Sequence, residues 1–129
     1  MIPKQKELKK LANLYQLDLI LLFGSRLTGK MHPESDLDLA FYSHKGLSTV
    51  KQDRLLNDLT KITQENKIDL IDLKKASFLL AMNIAKEGRV LFSRQKGLFD
   101  DLLGKIYLNY MDFQRFYRWR SELVKNFSL

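Results

Sequence analysis

No cysteine occurs in the 129 residues, which excludes a disulfide framework and any thiolate-ligated metal. Long apolar runs are missing too. The longest, LDLILLF at 17–23, falls well short of the roughly eighteen residues of a membrane-crossing helix and suits a buried strand. The first fifteen residues, MIPKQKELKKLANLY, are too charged for the apolar segment of a signal peptide. Only two histidines are present. His32 and His44 sit in polar stretches at no zinc-binding spacing, so both read as surface residues. With two prolines and six glycines, no low-complexity tract, repeat or linker emerges. The chain reads as one cytoplasmic domain, 1–129, with a core at 1–93 and a helical segment at 94–129.

Acidic charge is the minority sign. Lysine and arginine number 22 against 15 aspartates and glutamates, a net charge of +7. That balance favours polyanionic partners such as nucleotides, nucleic acid or an acidic protein surface, without choosing among them. The cations are dispersed, clustering only at Lys4–Lys10 and Arg115–Arg120.

Periodicity supplies the framework. Pro3 suits a first-turn position, and Leu8, Leu11, Ala12 and Tyr15 recur at helical spacing over 4–15. Residues 17–23 read as a strand covered on both sides. SDLDLAFY at 35–42 alternates as a second strand, and KIDLIDL at 67–73 forms a third. Ser48 caps a helix carrying Leu55, Leu56, Leu59 and Ile62. Ser77 caps FLLAMNIAKE, which Gly88 is expected to close in a left-handed conformation. RVLF is a short strand. A broad stripe through Phe99, Leu102, Leu103, Ile106, Tyr110, Phe113 and Tyr117 predicts a long helix over 98–126. The fold class is α+β: a small mixed sheet with helices packed on one face and a long C-terminal helix.

FGSRLTGKM, 23–31, admits two readings. From Gly24 it runs G-x-x-x-x-G-K, a phosphate-binding loop up to the position where Met31 replaces the required Ser or Thr. Such a loop needs a helix starting at its lysine, because helix-terminal amides hold the phosphates. Pro33 disfavours a helical His32, and no apolar helical stripe follows, so this reading fails and Lys30 is left without a role.

The second reading gains from what comes next. In SDLDLAF an extended chain sends Asp36 and Asp38 to one face and Leu37, Leu39 and Phe41 to the other. Two adjacent carboxylates repel each other, and Mg²⁺, which prefers oxygen ligands, would relieve that conflict. Strands also disfavour aspartate. Asp69 has the parity to join the pair from the third strand. Asp72 has the opposite, core-facing parity, so Asp69 is preferred as third carboxylate. Gly24 permits close backbone approach to phosphates, the amide and hydroxyl of Ser25 can donate to phosphate oxygens, and Arg26 can clamp a phosphate.

Gly24-Ser25, ten residues, then Asp36-Leu37-Asp38, with Asp69 on a later strand, resembles the minimal nucleotidyltransferases of the DNA polymerase beta superfamily. More closely, it is similar to the MNT-domain antitoxins of HEPN–MNT toxin–antitoxin pairs, whose signature is G-S-x10-D-x-D. The resemblance spans most of the chain, through LFGSR, SDLDLA, IDLIDL and EGRVLF in order. It implies the polymerase beta-like fold and transfer of AMP from ATP to a tyrosine of a partner HEPN ribonuclease. It further implies two Mg²⁺ ions on Asp36, Asp38 and Asp69, with the outer phosphates on Gly24, Ser25 and Arg26. Nucleic acid is not expected as a direct substrate. The alternatives are a small-molecule (aminoglycoside-type) nucleotidyltransferase and a non-catalytic protein-binding antitoxin.

Overall fold

The computed structural model describes residues 3–24 and 37–127. The elements run α1 (Gln5–Tyr15), β1 (Leu19–Phe23), β2 (Leu37–Tyr42), α2 (Thr49–Thr63), β3 (Ile68–Asp72), α3 (Phe78–Glu87), β4 (Arg89–Ser93) and α4 (Leu98–Phe127). The expected N-caps form: Ser48 Oγ accepts from the Lys51 amide at 3.2 Å and Ser77 Oγ from the Leu80 amide at 3.3 Å. Each satisfies one of the amides that a helix start leaves open. Pro3 lies one residue before Lys4, the N-cap of α1, and so just outside the first turn.

The sheet order is β3-β2-β1-β4. Strand β1 pairs antiparallel with β2 and β4, while β2 and β3 are parallel. A parallel pair needs a crossover, and α2 provides it. Alternation along the strands then divides the core in two. Ile20, Leu22, Leu37, Leu39 and Phe41 pack with Leu8, Leu11 and Ala12 of α1 and Leu55 and Leu59 of α2. Leu21 and Ala40 face Ala81 and Ile84 of α3, with Phe99, Leu102 and Ile106 of α4 against them.

The mixed α+β architecture and long terminal helix hold, but the helices cover both sheet faces rather than one. The reason lies in β1: its residues Leu19–Leu22 are buried on both parities, so each face needs a cover. Gly88 also departs from expectation. Its φ of −72° and ψ of 147° are extended, and the chain passes directly into β4. Glycine is required there for space: a Cβ would stand 2.5 Å from the carbonyl oxygen of Ile84. The left-handed closures belong to Gln16 and Gln64, at φ 57° and 59°, ending α1 and α2.

Candidate active site

The chemistry-bearing residues that the structure describes gather where β1 ends, β2 begins and β3 begins. Phe23 is the register partner of Asp38, and Asp38 is the register partner of Asp69. Register partners on neighbouring strands project to the same face, roughly 4.8 Å apart in the ladder direction. A row Phe23–Asp38–Asp69 therefore crosses three strands on the face that carries Ala40 and Leu21. Asp38 is half-buried and Asp69 exposed, so the row opens from the covered middle of the sheet towards its β3 edge.

Gly24 follows β1 with φ 85°, a region that L side chains rarely adopt. An added Cβ would lie 2.0 Å from Asp38 Oδ2 and 2.8 Å from its Cγ. The Asp38 carboxylate thus rests against bare backbone, in space that any other residue would fill. That contact joins the start of the candidate phosphate loop to one of its carboxylates.

Asp72 behaves differently. It is 6% exposed and pairs in register with Phe41, on the other parity. Its Oδ1 accepts from the Lys74 amide at 3.0 Å, and its backbone carbonyl accepts from the amides of Lys75 and Ala76. This is a side chain that organises the turn after β3. It does not share a face with Asp38.

Ser25, Arg26, Lys30, His32 and Asp36 lie outside the described residues. Of the expected three-carboxylate set, the described structure therefore contains Asp38 and Asp69. No group of three or more His, Asp or Glu suited to a metal ion occurs among the described residues. Two acidic side chains in register on one face, the outer one exposed and glycine backbone beside the inner one, fit the hard oxygen donors that Mg²⁺ takes.

A second polar cluster sits at the opposite end of the sheet and was not visible in the sequence. Asp18 precedes β1, His44 follows β2 and Arg94 follows β4. With Asn13, Gln16 and Lys45 they line a recess of about 250 Å³. His44, expected as a plain surface residue, is 65% exposed, yet its Nδ1 lies 3.0 Å from Asp18 Oδ2 and its amide donates to the same oxygen at 2.9 Å. Burial pushes the Asp18 carboxyl up, but the His44 amide and ring and the Arg94 charge outweigh it, and the carboxyl titrates below its usual range. Arg94 donates to the carbonyls of Ala12 and Leu17 and to Asn13 Oδ1. It thereby clamps the C-terminus of α1, where a cation is favoured. The cluster is structural.

The family model described as Polymerase beta, Nucleotidyltransferase matches residues 6–97, ending immediately before α4. The protein adenylyltransferase MntA of Aphanizomenon flos-aquae is 26% identical over 134 aligned positions, covering 96% of this chain and 89% of that protein. A solved toxin–antitoxin structure with AMP-PNP superposes with a TM-score of 0.74 at 25% identity, covering 95% of this chain and 98% of the other. Another, of the tri-AMPylated Shewanella oneidensis HEPN toxin in complex with its MNT antitoxin, gives 0.65 at 25% identity over 94% and 95%.

Proposed function

Because this chain belongs to the polymerase beta nucleotidyltransferase family, we propose that it transfers AMP from ATP to a tyrosine hydroxyl of a HEPN-type ribonuclease toxin, silencing it as its antitoxin. The observation that carries the proposal is the alignment of Asp38 with Asp69 beside the backbone of Gly24. The likeness to an adenylyltransferase over nearly the whole of both chains supports it.

In this mechanism Gly24, Ser25 and Arg26 hold the outer phosphates of ATP, through backbone approach, hydroxyl and amide donation, and a guanidinium fork. Asp36, Asp38 and Asp69 would hold two Mg²⁺ ions, which when bound neutralise the triphosphate and polarise its oxygens. Asp69, on the exposed side of the row, faces the incoming acceptor and takes up the proton of its hydroxyl. The acceptor oxygen bonds to the α-phosphorus as the bond to the bridging oxygen breaks, and pyrophosphate leaves. What the protein contributes is position and electrostatic complementarity.

The test is incorporation of labelled AMP from ATP into the purified HEPN-type protein, with aminoglycosides as competing acceptors. Label on the protein that is lost in Asp38→Asn supports the proposal. Label on the aminoglycosides alone would assign a small-molecule transferase. Silencing of the toxin with no label transferred would leave a purely steric antitoxin. No helix among the described residues is long and apolar enough to cross a membrane.

A further inference from the structure

Helix α4 is 30 residues long, and among the described residues those that pack on the core under the sheet lie in its first third. Phe99, Leu102 and Ile106 contact the cluster under the sheet. Beyond them no described residue of the helix is buried, and the stretch from Tyr107 to Phe127 extends for roughly 30 Å. A helix end with nothing to pack against would be expected to turn polar on all sides. This one does not. Tyr107, Leu108, Phe116, Tyr117, Trp119 and Val124 are between 48% and 63% exposed.

Their spacing has a rule. Phe99, Leu103, Ile106, Tyr110, Phe113, Tyr117, Arg120 and Val124 alternate at intervals of four and three, the seam of a helix packed lengthwise against another helix. The domain itself covers the beginning of that seam; further along it Tyr117 and Val124 are 48% and 59% exposed. Beside it the Phe116 ring meets Tyr117 edge-on at 6.2 Å and Trp119 at 6.0 Å. Rings that already hold one another lose less freedom on docking.

We infer that α4 beyond Ile106 is a docking arm that receives an amphipathic, acidic helix of the protein that accepts AMP. Charge selects the occupant. Arg115, Arg118, Arg120 and Lys125 stand against Asp112 and Glu122 along this stretch, and Arg120 falls in the seam itself. A second copy of the chain would bring the same cation excess against this one and set arginine within an apolar seam on both sides. A partner helix with a carboxylate opposite Arg120 makes a bidentate pair there. Aromatic and arginine side chains are also the residues that dominate binding at interfaces. The identity of the partner rests on the proposed function; the surface does not.

The experiment titrates the full chain against the purified HEPN-type protein by calorimetry. The variants are the double substitution Phe116→Ala with Trp119→Ala, and separately Arg120→Glu. Each should raise Kd at least about tenfold, while the isolated chain melts within a degree or two of the parent. AMP transfer at saturating partner should persist, because none of these residues belongs to the set at Gly24, Asp38 and Asp69. An unchanged Kd in both variants would overturn the inference. So would a parent chain that sediments as a dimer and becomes monomeric in the variants, since the occupant would then be a second copy. Binding of single-stranded RNA that the same substitutions abolish, with partner affinity intact, would overturn it too. Arm-dependent complex formation without AMP transfer would support the docking surface while refuting the enzymatic reading.

Discussion

Replacing Gly24 by alanine tests the geometry of the site through a single methyl group. Two separate costs follow. The backbone at φ 85° disfavours any L side chain, by about 1–2 kcal/mol. The new Cβ would also stand 2.0 Å from Asp38 Oδ2, so the carboxylate must rotate away. Asp38 is half-buried, so moving its carboxylate is a second cost to stability. It is a cost to function as well. The carboxylate must move by on the order of 1 Å, and displacements of that size lower rates about a hundredfold. Gly24→Ala should therefore unfold in urea with roughly 1–3 kcal/mol less stability and transfer AMP at about one hundredth of the parent rate. In an Asp38→Ala background the carboxylate is gone, so the stability cost should shrink to the backbone part. If Gly24→Ala transfers AMP near the parent rate, Asp38 is not held against that glycine in the working enzyme.

Asp69→Asn should lower kcat by at least about a hundredfold with little change in ATP affinity. Asp72→Ala should leave kcat unchanged and cost about 1 kcal/mol of stability through the lost bond to the Lys74 amide; the opposite pattern would exchange their roles. Arg26→Ala should raise the KM for ATP more than Lys30→Ala does, and the reverse ranking would revive the phosphate-loop reading of Gly24–Lys30. The Asp18 carboxyl titrates below its ordinary value in the folded chain. Its contribution to stability is therefore present above the unfolded value of about 3.9 and is lost as pH falls through the folded one. Urea midpoints measured from pH 6 to pH 2.5 should decline more gently in Asp18→Asn than in the parent, and parallel curves would refute the assignment.

Local features were legible because their causes are local. Ser48 and Ser77 cap their helices since each side chain reaches an amide three residues on, and strand alternation placed Asp38 opposite the apolar set Leu37, Leu39 and Phe41. Asp69 and Asp72 likewise fall on opposite faces through nothing beyond the period of an extended chain. The spacing Gly24-Ser25-x10-Asp36-x-Asp38 suggested the chemistry by its resemblance to a family signature, which a short stretch of sequence carries whole.

Tertiary structure decided what sequence periodicity cannot contain. Alternation says which face Asp69 takes, but only the β2–β3 hydrogen-bond ladder sets it level with Asp38, and a slip of two residues would keep the face while losing the contact. Gly88 matches a helix-ending glycine by sequence, yet its reason is the nearby carbonyl of Ile84. The Asp18–His44–Arg94 cluster unites residues from three parts of the chain with no motif among them. An apolar stripe looks the same whether its own domain covers it or not. Packing alone distinguishes the covered start of α4, at Phe99 and Ile106, from the exposed stretch around Phe116 and Trp119, because burial depends on where the sheet ends.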